Sequence, residues 1–104
     1  MFLEVTKRGL DPIVVNSEDI RKKPEETLTK LCNRVNLGFQ KSMLSWPKGG
    51  HRKDGVWASH WYGSAHKSTG FSGPEDKLPN LKGRNANLAE ASMPLYSSLL
   101  KFAI

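Results

Sequence analysis

Strand-forming sequence is nearly absent from these 104 residues. Pro12-Ile13-Val14-Val15 is a short apolar run rich in β-branched residues. It does not alternate polar with apolar positions, so it reads as a short buried strand and not as a half-exposed one. A solitary strand leaves N–H and C=O groups unpaired along both edges and cannot form a sheet by itself. One strand feeding one helix is half of an α/β repeat and needs a sheet to pack against. Either the chain hides further strands, or residues 1–104 are the later portion of a larger α/β domain. The expectation is an α/β protein whose present segment is mostly helical, with one short buried strand.

Around that run the sequence spells helices. Phe2 to Lys7 reads as the tail of a helix terminated at Gly9. Ser17 is placed to cap a short turn through Asp19 and Ile20, with Asp19 holding that turn locally. Pro24 suits a first helical position, and Glu25 and Glu26 complement the positive end of the helix dipole. Leu28, Leu31, Cys32 and Val35 then recur at i, i+3, i+4 and i+7, one apolar stripe that Asn36 and Gly38 end. A short helical segment is expected from Phe39 to Leu44, a loop over Trp46–Gly55, and a helical turn near Ala58–His66 within an ordered loop. Ser72–Asn85 is irregular. The last helix is expected over Ala86–Phe102, with Leu88, Ala91, Leu95, Leu99 and Phe102 on one face. Pro94 either kinks it or begins a second helix.

Charge is distributed unevenly. The chain carries 16 Lys and Arg against 10 Asp and Glu, a formal +6. Residues 41–71 hold five of the cations but only one carboxylate, Asp54, together with all three His and all three Trp. A positive stretch interleaved with Gly and Trp suits an anionic partner such as a phosphate or nucleotide; a solvated loop short of carboxylates is the plain alternative. The single Cys32 excludes an internal disulfide framework, and its place on the core stripe makes it a packing thiol. The first nine residues lack the apolar core of a secretory leader, and no run approaches the roughly 20 apolar residues of a membrane span. A cytoplasmic location is the expectation.

Several chemistries find no pattern to stand on. The chain has no Gly-Lys dipeptide and therefore no Walker A phosphate loop, and no dinucleotide GxGxxG. His51, His60, His66 and Cys32 match no zinc spacing, so no metal is expected. Asp54, His60 and a serine have no nucleophile-elbow sequence around them. Trp in a basic stretch can stack on bases, but no RNA- or DNA-binding signature accompanies it, and nucleic acid is not expected.

The run PIVVNSEDIRKKPEETLTKLCNRVNLGFQKSML resembles a segment of the P-loop sulfotransferase family. There a buried strand ends in a Glu-Asp-Leu-like turn, here Ser17-Glu18-Asp19-Ile20, before a Pro-led helix bearing a Leu-Cys pair. The following block, SMLSWPKGGHRKDGVWASHWYGSAHKSTGF, is similar to the subgroup often labelled branched-chain aminotransferase-like, through its SW-P-G, DGVWA-HWY and STGF series. Pro94-Leu95-Tyr96 resembles the family's closing helix. The resemblance covers nearly the whole chain.

That resemblance implies the C-terminal part of a three-layer α/β domain. Such a domain binds 3′-phosphoadenosine 5′-phosphosulfate and transfers its sulfuryl group to a hydroxyl or amine of a small-molecule acceptor. Family members place a late loop of the type Arg-Lys-Gly-x-x-Gly-Asp-Trp-Lys on the 3′-phosphate. The analogous stretch here is Lys48 to Trp57, in which Arg52-Lys53 is followed by Asp54 where the pattern has Gly. By resemblance the co-substrate-binding residues are Lys48, Gly49, Arg52, Lys53, Gly55 and Trp57; the cations contact phosphate or are plain surface charge, and the tryptophans pack or stack. No catalytic residue is assigned, because the family's phosphosulfate loop and base lie upstream of the matching segment. The chain is therefore expected to be inactive alone. The alternative is a non-catalytic basic module that holds an anionic ligand or a partner protein.

Overall fold

A computed structural model of the chain describes residues 1–75 and 77–104. Helix α1 (Phe2–Lys7) closes where Gly9 takes φ +73°, a left-handed conformation that costs glycine little. Helix α2 (Ser17–Lys22) is capped by Asn16 and not by Ser17. Asn16 is extended, with φ −81° and ψ 124°, and its Oδ1 accepts from the Glu18 N–H at 3.2 Å, whereas Ser17 is already helical. The break before Pro24 is of the kind a proline imposes on its predecessor: Lys23 leaves the helical region at φ −134° and α3 (Pro24–Arg34) begins.

Helix α3 is the element that its sequence pattern anticipates best. It buries Cys32 and Thr27, and Cys32 Sγ lies 4.0 Å from Met43 Sδ on the 3₁₀ turn Lys41–Leu44. Leu28 and Leu31 are half-buried and Val35 is exposed, so the stripe is covered only at its centre. Asn36 adopts φ +57°, and the Leu37 N–H donates back to the Cys32 carbonyl at 2.9 Å, ending the helix.

Two short helices follow, α4 (Ala58–Trp61) and α5 (Gly63–Lys67), and then α6 (Gly83–Leu100). Helix α6 starts three residues before the expected Ala86 and ends before Phe102. It continues through Pro94, which removes one backbone donor without splitting the helix. Phe102, just beyond α6, packs its ring against Phe2 with centroids 4.9 Å apart, which brings the chain after α6 against α1.

The expected buried strand is corrected in one respect. Pro12–Val15 is half-buried, and only Val14 pairs, in a parallel bridge with Ala103; the Ile104 N–H donates to the Val14 carbonyl at 3.1 Å. A second, antiparallel bridge joins Ser45 to Gly70. Neither bridge extends into a ladder among the described residues.

The surface is correspondingly large. The chain exposes 9064 Å², where a folded monomer of 11.6 kDa exposes about 5,800 Å². Its radius of gyration is 16.9 Å, against about 13 Å for a closed domain of this length. The apolar face of α6 is legible as a face, yet Leu88, Leu95 and Phe102 all lie exposed.

Candidate anion-binding loop

The basic block folds into one closed loop whose two arms are tied backbone to backbone. The Trp46 N–H donates to the Thr69 carbonyl at 2.9 Å and the Gly49 N–H to the His66 carbonyl at 2.7 Å. Trp46 anchors the base of the loop: its indole Nε1–H donates to Ser68 Oγ at 2.9 Å, and its ring meets Phe71 edge-on at 5.5 Å. Ser68 in turn donates to the Ala65 carbonyl at 2.7 Å.

Asp54 closes the tip. Its Oδ2 accepts from the His51 N–H at 2.8 Å and from His66 Nε2 at 3.0 Å. The Asp54 N–H donates back to the His51 carbonyl at 2.9 Å, and the Lys53 N–H donates to His51 Nδ1 at 3.1 Å. The glycines make this closure sterically possible. Gly49 takes φ +113°, and a Cβ on Gly50 would stand 3.0 Å from the His66 ring and 3.3 Å from Asp54 Oδ2.

The six residues expected to bind an anion fall along this single stretch. Lys48 and Gly49 lie on the incoming arm, Arg52 and Lys53 lie at the tip between His51 and Asp54, and Gly55 and Trp57 lead into α4. All are exposed. Lys48, Arg52 and Lys53 make no ion pair among the described residues, and the block's one carboxylate is turned inward to His51 and His66. The tip therefore presents cations outward on a backbone fixed from within. Trp46 packs, whereas Trp57 and Trp61 stand 67% and 75% exposed. Sequence reading missed the Asp54–His66 contact. Its available signal was that one carboxylate and three His share a block otherwise free of acidic residues.

The clasp carries a pH dependence. The His51 N–H, and after it the hydrogen bond from His66, hold the Asp54 carboxyl below its ordinary value of 3.8. A depressed folded pKa adds stability that is present above the unfolded value and is lost as pH falls through the folded one. The Asp54 clasp is thus expected to hold above the ordinary carboxyl value and to release as pH falls through the depressed folded one, seen as a shift of the His51 amide resonance. Asp54→Asn should abolish that acid transition.

Comparison with known proteins decides the family. The sulfotransferase domain model matches residues 6–103. The chain belongs to the sulfotransferase family. Two curated relatives from Arabidopsis thaliana, branched-chain-amino-acid aminotransferase-like proteins 1 and 2, are 38% and 35% identical to it. Each match runs over 99 residues, 95% of this chain but 18% of the relative, so the chain spans less than a fifth of their length. No solved structure matches it. No helix of this sulfotransferase-family chain is long and apolar enough to cross a membrane among the described residues.

Proposed function

We propose that the Lys48–Trp57 loop supplies the end of a sulfotransferase co-substrate site that holds the 3′-phosphate of 3′-phosphoadenosine 5′-phosphosulfate. The observation that carries this reading is the geometry of the loop: three cations that make no ion pair among the described residues, on a glycine-bearing stretch whose only carboxylate is satisfied from inside. Phosphate oxygens accept strong charge-assisted hydrogen bonds from Arg and Lys, and glycine lets the backbone approach them closely. The bound co-substrate supplies the sulfuryl group for transfer to a hydroxyl or amine. This chain's own residues bind and orient the nucleotide end; the sequence has no Gly-Lys phosphate loop for the phosphosulfate end. The chain alone is therefore inactive in this reading.

Amide chemical shifts during titration with adenosine 3′,5′-bisphosphate test the proposal. Perturbations centred on Gly49 to Gly55, with no sulfuryl transfer to a phenolic acceptor, are the expected result. Turnover by the isolated chain, or perturbations confined to other segments, would contradict it. A second reading is favoured by the exposure of Val56, Trp57 and Trp61 beside the cations. A non-catalytic module would use the same surface for an anionic partner protein, and the nucleotide would then leave the loop's amides unmoved.

A further inference from the structure

The loop tip holds one ring whose hydrogen bonding fixes its protonation state. The Lys53 N–H donates to His51 Nδ1 at 3.1 Å. A ring nitrogen accepts only while it carries no proton, so this contact requires the neutral imidazole with its proton on Nε2. A proton taken from solvent by Nδ1 sets a second donor against the Lys53 N–H. Two donors cannot share one contact, and the ring must turn away from the backbone amide. His51 is exposed, so the ring turns into water without displacing packed side chains.

One protonation therefore changes two things at the tip. The ring gains a positive charge beside Arg52 and Lys53, and the Lys53 N–H loses its internal acceptor. The clasp itself stays closed, because other atoms make it. The His51 N–H and His66 Nε2 both reach Asp54 Oδ2, and the Gly49 N–H reaches the His66 carbonyl. The charged and titratable groups around the ring are Lys48, Arg52, Lys53 and Asp54 of the same loop, with His66 and Lys67 from α5. Of these, Asp54 alone attracts the added charge, and its carboxylate already accepts two hydrogen bonds. We infer that His51 is a further anion-binding residue: once charged, it offers its imidazolium and the released Lys53 N–H to a doubly charged oxyanion, which binds together with a proton. Linkage makes the coupling reciprocal, so the anion must favour the charged ring as much as the charged ring favours the anion. The inference rests on the reading of this loop as an anion site, but not on the nucleotide.

Sulfate is the probe for this coupling. It stays doubly charged where histidine titrates, whereas a phosphate monoester takes up a proton of its own near pH ~6. Amide shifts of Gly49 to Gly55 follow sulfate titrations at constant ionic strength. Binding at least ~10-fold tighter at about pH 5.5 than at about pH 8 is expected, since one more charge-assisted contact forms. His51→Asn should lose most of that dependence, because its amide oxygen can accept from the Lys53 N–H but does not titrate. His60→Asn serves as the control and should behave like the parent. Without sulfate the Lys53 amide should exchange faster once His51 is charged, and added sulfate should slow it again. Three results overturn the inference: equal sulfate affinities at both pH values, a pH dependence that His51→Asn mostly retains, or ¹⁵N shifts that place the alkaline ring's proton on Nδ1. Equal sulfate affinities with adenosine 3′,5′-bisphosphate still perturbing Gly49 to Gly55 would leave the nucleotide reading standing. Proton-coupled sulfate binding without nucleotide binding would support the coupling and sink the nucleotide reading.

Discussion

Replacing Arg52 and Lys53 together by Ala is expected to weaken adenosine 3′,5′-bisphosphate binding at least ~100-fold, since each hydrogen bond to a charged group contributes about 1.5–3 kcal/mol. Neither side chain has an ion-pair partner to reorganise among the described residues. Their truncation therefore removes contacts to the ligand without leaving a buried charge behind. The loop is held by Asp54, His51, His66 and backbone atoms, none of which the substitutions touch. Titration calorimetry at low salt measures the loss, since exposed charges are screened beyond about 10 Å at 0.1 M. Lys101→Ala, at the end of α6, should bind like the parent. Lys48→Ala alone separates the incoming arm from the tip: a loss comparable to the double variant would shift the principal contact to Lys48.

Gly50→Val should reduce the same affinity with every cation still in place. A Cβ there meets His66 Cε1 at 3.0 Å, Nε2 at 3.1 Å and Asp54 Oδ2 at 3.3 Å. Alanine requires the ring to give by a few tenths of an ångström, whereas the two methyl groups of Val require His66 to leave Asp54. Overpacking of this kind costs about 1–3 kcal/mol. The loss of fixed geometry would appear first as disappearance of the His66 Nε2–Asp54 hydrogen bond, followed by altered Gly49 and Trp46 amide shifts. Gly50→Ala with weaker effects on all three readouts, and Gly50→Val with large ones, is the expected order. An unchanged affinity in Gly50→Val would mean that the cations act as loose surface charge.

Local rules made some elements legible and left others hidden. Pro24, the Glu pair and the Leu28–Val35 spacing specify α3 because each acts within one or two helical turns. Gly9 at positive φ and Asn36 at the end of α3 are likewise local events. Asn16 and Ser17 are both good caps, and only the backbone reveals that Asn16 is the extended one. Pro94 allowed a kink or a new start, and the helix simply runs through it. The Asp54–His66 contact joins residues 12 apart through a loop, beyond the reach of periodicity. The α6 stripe was readable, but what covers it was not, because an apolar face does not name its partner. For the site, the six expected residues were readable as one stretch; the internal clasp that turns their cations outward was not.

Recognition of a 3′-phosphate by the loop is tested by parallel titrations with adenosine 3′,5′-bisphosphate and adenosine 5′-monophosphate. The two ligands differ by that phosphate alone. A tenfold or greater preference for the bisphosphate, corresponding to at least ~1.4 kcal/mol and abolished in the Arg52→Ala/Lys53→Ala variant, is the predicted result. Equal affinities for the two nucleotides, or a preference that survives loss of both cations, would contradict it.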